Sequence, residues 1–181
     1  ATFECQNAAG MKSEYSIKHH DVGAVNMAYM EGPDSGKPLV IIPGMAVPWQ
    51  SYIPTAQILC KHFHVFIITQ RGHNLTGWAK DAATFIEEVV GEPVIVSGHS
   101  LGGLVALWLT TQRPGLVIGF NAEDGAFLVN EQNRWFTSWV RNMFVGLEKR
   151  VRAYHEKRAN LEEIVDMYAS ELLVVPTVEQ D

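Results

Sequence analysis

The stretch Val94-Ile95-Val96-Ser97-Gly98-His99-Ser100-Leu101-Gly102-Gly103 decides the fold. It joins a short β-branched run to a helix-compatible segment through the pattern G-x-S-x-G. A residue on so tight a strand-to-helix turn takes a strained backbone conformation, and the positions two before and two after it, Gly98 and Gly102, come too close for side chains. Such a turn lifts the Ser100 hydroxyl clear of a sheet and aims the N-terminus of the following helix at whatever the hydroxyl attacks. The amides and dipole of that terminus favour a developing oxyanion. Without that context, the same glycines would mark only a close-packed or anion-binding turn.

Working outward, two further apolar runs precede this one, Leu39-Val40-Ile41-Ile42 and Val65-Phe66-Ile67-Ile68. Short continuous β-branched runs bounded by Gly or Pro are the pattern of strands buried on both faces. Helix-compatible segments over 52–62 and 80–90 alternate with them, a helix over 101–112 follows, and a further strand is predicted at 116–120. The order predicts an α/β fold, a doubly wound, mostly parallel sheet with right-handed crossovers. Upstream, residues 15–20 and 25–30 read as two antiparallel edge strands joined by a turn. Residues 1–14 carry no clear period and are read as a tail.

Composition narrows the function classes. The 181 residues are 47% hydrophobic with a formal net charge of -6, and without a basic run nucleic acid is not expected as a partner. Two cysteines, Cys5 and Cys60, stand far apart, so two unpaired thiols are expected rather than a disulfide framework or a zinc site. No apolar run reaches the roughly 18–20 residues of a membrane span, and no signal peptide is visible. A soluble, cytoplasmic protein without metal or cofactor, and without membrane contact, is the expectation.

In family order, three motifs resemble the α/β-hydrolase superfamily, serine hydrolase branch, over residues 15–125. Ile42-Pro43-Gly44-Met45 stands where the family commonly has His-Gly before an oxyanion-hole donor, with Pro43 replacing the His. Gln70-Arg71-Gly72-His73 is similar to the family's Asp-x-Arg-Gly-His-Gly turn, with Gln70 and Asn74 departing from it. The third motif is the elbow at Ser100. The resemblance implies that the backbone amides of Met45 and Leu101 form an oxyanion hole. A serine at the elbow also points away from the dehalogenase and epoxide-hydrolase branches, whose members carry Asp there.

A serine hydroxyl needs a base, and the base an orienting carboxylate. In some branches of the family the acid follows the strand after the elbow, which here makes Asp124 the candidate, with Glu123 as its neighbour. Family order places the catalytic His last, yet the last His is His155, in a charged helical stretch. His99 and His73 read as structural, and His19, His20, His62 and His64 as surface residues. No His occupies the expected place.

Beyond Gly125 the alternation ceases. Trp135, Trp139 and Met143 fall on one apolar face at helical spacing, and Asn160 with Glu163 forms a capping box for a second helix. Residues 126–181 are therefore expected to form a helical lid whose apolar face lines a substrate pocket. The superfamily's last strand-helix units have no counterpart, a deficit of roughly 60 residues at about 30 per unit. The final strand would then present an open apolar edge, to be covered by a missing C-terminal segment or a second chain. The expected function is a serine hydrolase acting on an ester, thioester or lactone with a hydrophobic part, incomplete for turnover by itself. The alternatives are a non-catalytic binding or regulatory module and, more weakly, a cofactor-independent dioxygenase.

Overall fold

The structure is a computed structural model that describes residues 3–6, 12–45, 47–70 and 75–125, together with positions 149, 152, 153, 156–158, 160 and 163. The chain divides into two compact units, Ala1–Phe127 and Leu128–Asp181. The first holds β1 (Phe3–Gln6), β2 (Lys12–Val22), β3 (Val25–Glu31), β4 (Pro38–Ile42), α1 (Ile53–Leu59), β5 (His64–Ile68), α2 (Leu75–Phe85), β6 (Val94–His99), α3 (Leu101–Gln112) and β7 (Val117–Glu123). Seven strands form one sheet in the order β1-β2-β3-β5-β4-β6-β7. The four strands from β5 to β7 in that order run parallel, and β1 to β3 extend the sheet antiparallel.

The apolar runs make this arrangement because they face cores on both sides of the sheet, with every residue buried in β4, all but the first in β5, and buried and partly buried residues alternating in β6. In β4 every residue is buried, and its alternate side chains enter two different cores. Val40 and Ile42 join Phe66, Val96 and the inner faces of α2 and α3, while Leu39 and Ile41 join Val65, Ile67 and Ala56 of α1. Full burial of each such side chain contributes about 1.5–3 kcal/mol, so the central strands hold the helices on both sides. The expected doubly wound sheet is thus observed, with α2 starting earlier than expected and closing in a π-helical turn, Ile86–Val90. β7 also runs three residues beyond its expected end, to Glu123.

The N-terminus departs from expectation. In place of a tail, β1 pairs antiparallel with the start of β2, from Phe3↔Tyr15 to Gln6↔Lys12. Four residues are too few to show a period, and here the ladder comes from backbone pairing that composition does not reveal. β1 also packs beside α1. Cys60, fully buried at the end of α1, is disulfide-bonded, and the chain's other cysteine, Cys5, lies on β1. This corrects the expectation of two unpaired thiols: separation along the sequence is no guide to distance once the sheet brings remote segments together.

On β7, Ile118 and Phe120 are exposed at 54% and 41%, and among the described residues β7 pairs only with β6, as the expected open apolar edge requires. Among the described residues, no helix is long and apolar enough to cross a membrane. In the second unit, the Asn160 amide donates to Glu163 Oε2 at 3.0 Å and the Glu163 amide to Asn160 Oδ1 at 3.0 Å, which is the reciprocal capping box read from the sequence.

Two measurements probe these features. Cys60→Ala is expected to cost about 2–4 kcal/mol in guanidinium unfolding, and a reductant should bring the parent chain down towards the variant. The Tyr15 side chain is wholly buried and its hydroxyl has no hydrogen-bond partner among the described residues. Burial drives its pKa far up. The folded state therefore keeps a proton that the unfolded chain releases above pH about 10, so this contribution is intact below that pH and falls as pH rises further. Tyr15→Phe should hold its urea midpoint above pH 10 better than the parent; parallel losses in the two proteins would reject the assignment.

Candidate active site

The carboxyl ends of β4, β6 and β7 meet around Ser100. Ser100 stands between β6 and α3 with φ 52° and ψ −117°. For a residue with a side chain this conformation costs on the order of 1–3 kcal/mol, and it persists only where the surroundings fix it. Here the Ser100 amide donates to the Glu123 carbonyl at 2.9 Å and the Ser100 carbonyl accepts from the Gly103 amide at 3.0 Å. A Cβ on Gly98 would collide with the Gly102 carbonyl, and one on Gly102 with the Ile42 carbonyl, with Pro43 O a further 2.7 Å contact. Both glycines are therefore required by close approach of backbone to backbone, the reason inferred from their spacing.

The segment after β4 lies against this turn. A Cβ on Gly44 would fall 3.2 Å from Ser100 Cβ and 2.8 Å from His99 Nδ1. The Gly44 carbonyl accepts from the Val47 amide at 3.2 Å. Met45 and Leu101, the two expected oxyanion donors, are both partly buried and pack against the core shared with α2 and α3. The structure thus brings Pro43 to Met45 beside Ser100 and the first turn of α3.

His99 is placed more closely than expected. Its ring packs on Gly44, and its Nδ1 is buried without a hydrogen-bond partner among the described residues. Tyr52, from the 3-10 turn Trp49–Tyr52 before α1, lies over it with ring centroids 6.3 Å apart and a tilt of 58°. Burial raises the Tyr52 pKa, the neighbouring Gly44 backbone opposes that rise and the Glu123 charge adds to it, so the phenol is neutral at ordinary pH. Sequence reasoning missed Tyr52: one aromatic at the head of a helix has no signature distinguishing it from a core residue.

Asp124 follows β7 directly, exposed and with φ 46°. Glu123, also exposed, contributes its backbone carbonyl to Ser100, a role that no side-chain pattern encodes. Asn121 Nδ2 donates to Ser97 Oγ at 2.9 Å and ties β7 to β6 nearby. Gln70, at the end of β5, has Nε2 buried without a partner among the described residues. Of the expected surface histidines, His20 meets Glu88 at 2.8 Å and His64 meets Glu31 at 3.1 Å. His73, His155 and the lid residues Trp135, Trp139 and Met143 lie outside the described residues. Among the described residues no group of three or more His, Cys, Asp or Glu is disposed to hold a metal ion.

The profile of the alpha/beta hydrolase family matches residues 39–176. The chain belongs to the alpha/beta hydrolase family. It is 32% identical over 102 residues to (E)-2-((N-methylformamido)methylene)succinate hydrolase of Acinetobacter baylyi, covering 51% of this chain and 39% of that protein. It is 25% identical over 128 residues to pimeloyl-[acyl-carrier protein] methyl ester esterase of Nitrosospira multiformis, covering 63% and 48%. The chain thus spans less than half the length of either relative. Among solved structures, a membrane phospholipase A superposes with a TM-score of 0.58 at 21% identity, covering 62% of this chain and 40% of that one. That last likeness is one of fold.

The glycine geometry gives a direct test. Gly98→Ala and Gly102→Ala should each destabilise the chain by about 1–3 kcal/mol or more, as overpacking against backbone does. Gly115→Ala, where a Cβ would meet nothing within 4 Å, should stay within about 0.5 kcal/mol. Denaturant midpoints of the three variants separate these cases.

Proposed function

We propose that the chain carries the acylating half of a serine hydrolase acting on a carboxylic ester, thioester or lactone with a hydrophobic part. The strained Ser100, held at the N-terminus of α3 with the Gly44 segment beside it, carries this reading. In the reaction, Ser100 Oγ bonds to the carbonyl carbon while its proton passes to a base. The Met45 and Leu101 amides hold the oxyanion. Collapse expels the alcohol or thiol, which takes the proton, and leaves an acyl-serine for water to cleave. Asp124 is proposed to orient the base. The base itself is not assigned, because none of the chain's seven histidines follows the last strand in the way family order requires.

Two relatives support the hydrolytic reading by their names: one is a methyl ester esterase, the other a hydrolase of a substituted methylenesuccinate. Trp135, Trp139 and Met143 are proposed to supply the apolar part of the pocket. The disulfide at Cys60 favours an oxidising compartment over the cytoplasm expected from composition. Ile118 and Phe120 are proposed to be covered by a further segment or chain.

An oxyanion hole with substrate binding alone leaves roughly 10³–10⁴-fold catalysis over water. The 181-residue chain is therefore expected to react slowly with a fluorophosphonate at Ser100, faster with added imidazole, and not at all as Ser100→Ala. Ester turnover should be negligible. A folded chain left unlabelled with imidazole present would reject the nucleophile and favour the binding-module reading; brisk turnover would show that a base is present and was not recognised.

A further inference from the structure

Of the four parallel strands, β7 alone has no buried residue. In the others the apolar pattern fixes which residues face each other, because a slip of one residue would carry buried side chains to the wrong face. β7 lacks that constraint, and its pairing with β6 changes along its length. Val117 stands opposite Val94, but Gly119 stands opposite Ile95, so Ile118 is passed over. A skipped residue of this kind is a β-bulge, and it re-aims the residues that follow. Beyond it Asn121 stands opposite Ser97 and Glu123 opposite His99, and the Glu123 carbonyl accepts the Ser100 amide at 2.9 Å. Without the bulge, Phe120 would face Ser97, Ala122 would stand beside His99, and Asn121 would turn to the other face of the sheet.

We propose that Asn121 is a positioning residue for the nucleophile: its side-chain amide, donating to Ser97 Oγ at 2.9 Å, pins the bulged register of β7 and thereby keeps the Glu123 carbonyl on the Ser100 amide. The inference rests on the serine-hydrolase reading for its consequence in rate, and on the strand pairing alone for the register. Only the bulged register sets Asn121 and Ser97 on one face as direct neighbours, so their bond favours it over the slipped one. A carboxamide suits the task, since it reaches across one pair of strands without placing a third carboxylate next to Glu123 and Asp124. Ser100 keeps its φ of 52° only with outside support, so relaxed conformations compete with it and a weaker hold is read in the rate.

The test is a double-mutant cycle on the intact 181-residue chain, with Asn121→Ala, Ser97→Ala and the two together. Each single variant should quicken hydrogen exchange at the Ser100 amide about threefold, the lower range for one net hydrogen bond, because this one is exposed. With a fluorophosphonate in imidazole buffer, the maximal inactivation rate at Ser100 should fall by a similar factor. The probe's half-saturation concentration, exchange at the β4 amides and the thermal midpoint should stay unchanged. The double variant should be no worse than either single one, since both remove the same bond. Unchanged Ser100 exchange in Asn121→Ala would overturn the proposal, as would losses that multiply in the double variant. Faster exchange with an unchanged inactivation rate would overturn the positioning role. Where the parent itself is not labelled, the serine-hydrolase reading fails, while Ser100 exchange still decides whether Asn121 sets the register.

Discussion

Much of this unit depends on a contact between backbones. Gly102, in the first turn of α3, lies against the Ile42 carbonyl at the end of β4, and Gly98 lies under Gly102. Atoms this close leave one path for the chain between β6 and α3, and Ser100 must take a left-handed φ to follow it. The conformation is locally unfavourable and survives because β4, buried at every residue, and the β6 backbone packed beside it do not yield. The two cores thus serve as the rigid support on which a strained residue is held, while Gly44 closes the turn from the side of β4.

The arrangement of buried strands was legible because burial on both faces leaves a mark in composition. The runs around Val40, Phe66 and Val96 are apolar at every position, and the structure places them at the centre of the sheet, with Ile95 alone of the last run only partly buried. The close approach at Gly98 and Gly102 was legible for a similar reason, since only glycine fits there. The capping box at Asn160 and Glu163 could be read because both partners lie within one turn. What stayed hidden depends on backbone groups or on partners far apart in the chain. β1 forms by backbone pairing with β2, the Glu123 carbonyl serves Ser100 whatever side chain Glu123 bears, and Cys60 finds a partner that spacing argues against.

One link has a consequence for how firmly Ser100 is held. Its amide is bonded to the last residue of β7, which among the described residues is an edge strand with a single neighbour. Edge strands open locally at lower free energy than central ones. Each time the end of β7 frays from β6, Ser100 loses the acceptor that helps keep it in its strained conformation. The fraction of molecules holding that conformation is therefore governed by a local opening equilibrium at the rim of the sheet, rather than by the global stability of the core. A substitution at Asn121 or Phe120 can shift that fraction while leaving the unfolding midpoint where it was.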